Sequence, residues 1–158
     1  MRWIHYKKIP EPGRKYLLIK QASFLAPLSV LAARPKNKVV KLTKNSKLFK
    51  AIIKGIRDKK GENIVSLDLR KIPEAVADFF VICEATSNIQ IRAIADSIED
   101  TVKDACEEMP YKHEGYQALQ WVLIDYVNIV IHIMQPDTRK FYRLEEMWSD
   151  AVLEEHND

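Results

Sequence analysis

The chain has 158 residues, 47% hydrophobic and 30% charged, which suits one folded domain plus a tail and argues against bulk disorder. No run approaches the roughly 18 uncharged apolar residues of a membrane-spanning helix, and Cys83 and Cys106 form no CxxC or Cys/His cluster, so neither a disulfide framework nor a structural zinc site is expected. The net charge of +3 hides an asymmetry: residues 1–41 carry ten Lys/Arg against one acid (+9), and residues 42–158 carry fifteen against twenty-one (−6).

An acidic domain repels a phosphate backbone, so direct nucleic-acid binding is not expected and a basic protein partner fits better. Residues 1–43 read as a basic N-terminal extension, with four of the seven prolines and almost no acids. Three readings of it stay open: an organelle-targeting peptide, a flexible basic arm, or upstream sequence from a start codon placed too early. The domain is expected at 44–152 and a frayed tail at 153–158.

In chain order, Leu48, Phe49, Ile52, Ile53 and Ile56 form one apolar stripe, which predicts a helix over about 44–60 with Gly61 as its left-handed stop. Ile64–Leu69 reads as a strand, and the apolar run Phe79–Cys83 as a central strand covered on both faces. Ser87 and Gln90 have capping-box spacing and open a second helix. Its apolar positions run from Ile91 to Met109, where Pro110 ends it, and its other face carries Asp96, Glu99, Asp100, Asp104, Glu107 and Glu108. Trp121–Asp125 then reads as the return strand of a βαβ crossover, antiparallel to the strand that follows to Met134. Within that last strand Val127, Ile129, Ile131 and Ile133 share one face, and Asn128, Val130, His132 and Met134 the other. A third helix is expected from about Thr138 to Trp148, with Phe141, Leu144 and Trp148 at i, i+3 and i+7. The expected fold is α/β, a small mixed sheet flanked by helices.

Little of this suggests catalysis. The four glycines are too scattered for a phosphate loop, and no HExxH occurs. His132 reads as a hydrogen-bonded structural histidine. Asp68 and Asp125 lie near strand ends, where carboxylates of α/β enzymes often sit, but a metal site needs several converging acids. We expect no enzyme activity, metal or cofactor.

Taken together, Asp68-Leu69-Arg70, Ala77–Ile82, Thr86–Gln90, Glu114-Gly115, Trp121–Tyr126, Val130–Ile133 and Arg139–Ala151 resemble, in correct order, the motifs of the ribosomal silencing factor family, also called Iojap. The resemblance implies a nucleotidyltransferase-like fold without that activity. It implies docking on the large ribosomal subunit through ribosomal protein L-fourteen, which keeps the small subunit away and lowers translation. An assembly factor for the large subunit, or a nucleotidyltransferase-like enzyme using Asp68 and Asp125, are the alternatives. The cytoplasm is the expected location, or a mitochondrion or plastid if residues 1–41 are a transit peptide. Homodimerisation of the free protein stays open. The chain departs from the family twice. Glu84-Ala85 stands where a glycine is usual before Thr86, and a carboxylate there would repel phosphate. Val127-Asn128 replaces Gly-Asp, so a longer or bulged turn is expected.

For the partner-binding surface, Trp121, Leu123 and Asp125 share a strand face, and Trp and Tyr dominate protein–protein binding energy. Trp121 with Tyr126 is therefore expected as an exposed aromatic anchor beside Asp125, the alternative being that Trp121 is core. The resembling blocks add His132, Arg139 and Tyr142 to the expected set.

Overall fold

The computed structural model describes residues 43–73 and 75–157, so the expected extension lies outside the described residues apart from Thr43. Helix α1 spans Lys47–Asp58 and begins at Ser46, whose Oγ accepts from the Phe49 amide at 3.2 Å. Its stripe is buried as the spacing predicts. Lys60 rather than Gly61 takes the left-handed conformation beyond it, at φ 58°. Strands β1 (Glu62–Asp68) and β2 (Phe79–Glu84) follow, then helix α2 (Asn88–Cys106) and strands β3 (Lys112–Glu114), β4 (Trp121–Asp125) and β5 (Ile129–Met134). Helices α3 (Pro136–Tyr142) and α4 (Leu144–Met147) and strand β6 (Val152–Glu155) complete the fold.

The six strands form one open mixed sheet in the order β3-β4-β5-β2-β1-β6. Of these pairings, β2 with β5 is parallel and the other four are antiparallel. The crossover through α2 therefore returns to β5, and β4 sits one place further out. The expectation that Trp121–Asp125 is the return strand is corrected. Side-chain alternation states which face a residue takes, but both strands are apolar on both faces, and that leaves the neighbour undetermined.

Helices α1 and α2 cover one face of the sheet. Ile52, Ile56, Ile91, Ile94 and Ile98 meet Phe79, Val81, Ile124, Ile129, Ile131 and Ile133 there. The two helices cross closely at Gly55, where a Cβ would lie 2.8 Å from the Ile98 Cα, so a larger residue would force them apart. At the start of α2 the Ser87 Oγ accepts from the Gln90 amide at 3.1 Å. The Gln90 side chain does not complete the box; it donates to the Lys59 and Lys60 carbonyls and so ties α1 to α2. Helix α2 stops at Cys106, because Glu107 turns left-handed (φ 55°), and Met109 is exposed rather than part of the stripe.

The second face is covered by the segment after β1, with Leu69, Ile72 and Ala77, and by the chain after β5, with Leu144 and Trp148. The expected third helix is broken in two. Arg143 is left-handed (φ 51°), so Leu144 and Trp148 are buried while Phe141 stays exposed. The tail expected to fray from residue 153 is instead in β6, paired with β1. Its polar sequence conceals what holds it. The His156 amide donates to the Ile64 carbonyl at 2.8 Å, the His156 Nε2 lies 2.8 Å from the Ser66 Oγ, and the Asn157 Oδ1 accepts from the Ile64 amide at 2.9 Å.

Candidate functional site

The residues singled out by sequence fall mainly on the second face, around the start of β4. Gly115, at φ 88°, turns the chain from β3 toward β4, and a Cβ there would lie 2.0 Å from the Trp121 carbonyl oxygen. The Leu119 amide closes the turn on the Gly115 carbonyl at 3.0 Å. Trp121 then enters the sheet with 5% of its surface exposed, so the expected exposed anchor is corrected: in the free domain the indole is core. Both faces of β4 are covered, and that puts its two sets of alternating side chains inside alike.

Trp121 donates from Nε1 to the His132 Nδ1 at 3.1 Å, and its ring packs 4.7 Å from Tyr142. His132 is fully buried, 4.8 Å from Phe80, which in turn meets Trp148 at 5.5 Å. Burial pushes the His132 pKa down to about 3. The ring is therefore neutral, with Nδ1 accepting and the proton on Nε2. That Nε2 is buried and has no hydrogen-bond partner among the described residues. Leu123 lies beside His132 in the β4–β5 register.

Arg139, on α3, serves as a brace. Its Nε donates to the Glu145 Oε1 at 2.8 Å, and its Nη1 donates to the Asn63 carbonyl at 2.7 Å and approaches the Glu84 Oε2 at 3.4 Å. Sequence reasoning missed Glu84 and Glu145 as partners of this arginine. Separations of 55 and 6 residues follow no local spacing that would mark them.

Asp125 is buried at the far end of β4, and its Oδ1 accepts from the Val127 amide at 2.7 Å. The expected long or bulged turn is also corrected. The Asn128 amide reaches the Tyr126 carbonyl at 2.9 Å, a tight γ-turn with Val127 at φ 72°, a strained position that the Asp125 hydrogen bond supports. Tyr126 points to the opposite face, against α2; its hydroxyl is buried without a partner among the described residues, and burial pushes its pKa up. The structure thus brings together Trp121, Leu123, His132 and Tyr142, sets Arg139 beside them on α3, and separates Tyr126 from them.

The two acids weighed as catalytic are occupied otherwise. Asp68 makes a 2.6 Å ion pair with Arg70, and the hydrogen-bonded guanidinium holds its carboxyl below the usual range. Asp125 caps its own turn. No group of three or more His, Cys, Asp or Glu that could hold a metal occurs among the described residues. What the second face offers is a large aromatic cluster under a thin helix, with carboxylates at its margin.

Residues 42–158 match the family described as ribosomal silencing factor during starvation. The chain belongs to this family. Among its curated relatives, the ribosomal silencing factor of Halalkalibacterium halodurans is 36% identical over 107 residues, covering 68% of this chain and 90% of that protein. A mouse protein named mitochondrial assembly of ribosomal large subunit protein 1 is 34% identical over 92 residues, 56% of this chain and 40% of that one. A Chromobacterium violaceum crystal structure superposes with a TM-score of 0.61 at 30% identity, covering 65% of this chain and 83% of that one. A Bacillus halodurans structure gives 0.58 at 34% identity, covering 66% and 95%. This silencing-factor domain shares with those structures its small open sheet flanked by helices.

Proposed function

We propose that this chain docks on the large ribosomal subunit through ribosomal protein L-fourteen, occupies the face where the small subunit joins, and thereby lowers translation. The family match over residues 42–158 carries this reading. The domain's net charge of −6 supports it, since an acidic surface suits a basic protein partner. The docking surface we propose is the second face at Trp121, beneath the helix that carries Arg139 and Tyr142. We read the sheet as akin to nucleotidyltransferases but without their chemistry, because Asp68 is held by Arg70 and Asp125 by its turn. The proposed compartment is the cytoplasm; a transit-peptide role for residues 1–41 would move it to a mitochondrion or plastid.

A second reading, a large-subunit assembly factor, is favoured by the likeness to the mouse assembly protein. It uses the same surface and differs in when it binds. Sucrose-gradient fractionation of a lysate tests both. The first reading expects this protein on mature large subunits, and fewer joined ribosomes when purified protein is added. Confinement to immature large-subunit particles favours assembly. Sedimentation away from every large-subunit particle overturns both.

A further inference from the structure

We propose that α3 is a hinged cover over Trp121, and that a cationic side chain of a basic partner releases it by taking Arg139's place on Glu84 and Glu145. The inference deepens the reading just given and rests on it. Helix α3 has no buried residue of its own, and its N-cap, Gln135, makes no side-chain cap bond. The core grips the chain on either side instead: Met134 ends β5 fully buried, and Leu144 and Trp148 are fully buried after the left-handed Arg143. Between those grips, Gln135 fixes the start of the segment by donating to the Asn88 Oδ1 and to the Leu119 and Gln120 carbonyls, which leaves the start in place as the hinge, and two sets of contacts further along bear on the helix itself. One is the Tyr142 ring against Trp121. The other is Arg139, bridging Glu145, Glu84 and the Asn63 carbonyl.

The apolar group beneath this lightly held helix is the largest side chain on β4. Segments that open below the global unfolding free energy are those with few buried apolar contacts, and α3 meets that description. The arrangement at Arg139 suggests what opens it. Glu84 and Glu145 are largely shielded, with side chains 16% and 23% exposed, and such carboxylates keep a cation. Replacing Arg139 by a partner's Lys or Arg conserves the ion pairs, so opening costs the Arg139 bond to the Asn63 carbonyl, the Tyr142 contact and the order of one short helix. The indole then becomes available to the partner, and a buried Trp is the kind of group that dominates an interface. In the free protein Arg139 stands where the partner's cation would stand.

Arg139→Met tests this, because a residue that directly contacts the partner and a residue that holds a cover shut predict opposite outcomes. Hydrogen exchange of the Arg139 and Arg143 amides, which close on the Gln135 and Arg139 carbonyls, is expected to speed up at least about tenfold, with amides of Ile91–Val102 unchanged. Affinity for purified large subunits is expected to rise at least about threefold, because the cover no longer opposes binding. Tyr142→Ala is expected to act in the same direction on both readouts. Weaker binding by Arg139→Met, unchanged α3 exchange, or faster exchange throughout α2 would each overturn the proposal. Wild-type protein with no affinity for large subunits would sink the functional reading instead, and the exchange measurement alone would then judge the cover.

Discussion

The Trp121 indole N–H donates to the His132 Nδ1 across 3.1 Å, joining two adjacent strands inside the second face. The bond sets the histidine tautomer and holds the indole in one orientation. Trp121→Ala should therefore act first on stability. Removing a buried Trp costs about 3–5 kcal/mol, which for a domain of this size lowers the melting temperature by roughly 10 °C or more. A thermal melt decides: an unshifted transition would place the indole outside the core.

His132 makes stability depend on pH. Its folded pKa of about 3 lies below the ordinary 6.5, so the unfolded chain takes up the proton first. The stability it contributes is present above about 6.5 and is lost as pH falls toward 3. At pH 5 this group alone should cost about 2 kcal/mol relative to pH 7. Urea unfolding at both pH values, for wild type and His132→Asn, measures it as the difference between the two losses. Burial also lowers the His156 pKa and produces a slope of the same sign, but that slope is common to both proteins and cancels.

Gly115→Ala should destabilise the domain by at least about 2 kcal/mol. A side chain at φ 88° is strained, and its Cβ would meet the Trp121 carbonyl. The denaturant midpoint should fall with little change in m-value. A midpoint equal to wild type would show that the loop before β4 relaxes freely.

Asp125→Ala should cost about 1.5–3 kcal/mol, the worth of a hydrogen bond to a charged group, and should have no effect on nucleotide chemistry. Calorimetric titration of wild type with magnesium and a nucleoside triphosphate should give no heat of binding. Turnover abolished by this substitution would reinstate the enzyme reading.

Side-chain periodicity made part of this architecture legible. The alternation in Ile129–Met134 identified both faces of β5 correctly, and Ser87 marked the start of α2 through its own hydrogen bond. Periodicity failed where backbone pairing decides. Nothing in Glu154-Glu155-His156 announces a strand, because the bonds that hold it reach back some ninety residues to Ile64 and Ser66. Trp121 was ambiguous for a different reason: when both faces of a strand are covered, alternation cannot sort anchor from core. The break at Arg143 was hidden because a left-handed arginine carries no mark of its own, unlike a glycine.

The pairing of β1 with β6 bears on how this protein is born. The first strand of the sheet waits for the sixth, so during synthesis the outer backbone groups of β1 have no ladder until Val152–Glu155 leaves the exit tunnel. A nascent chain paused before that point exposes a sheet margin of Val65, Ser66 and Leu67, a ready template for unwanted strand pairing. A protein proposed to restrain ribosomes thus depends on one for prompt delivery of the strand that closes its own sheet.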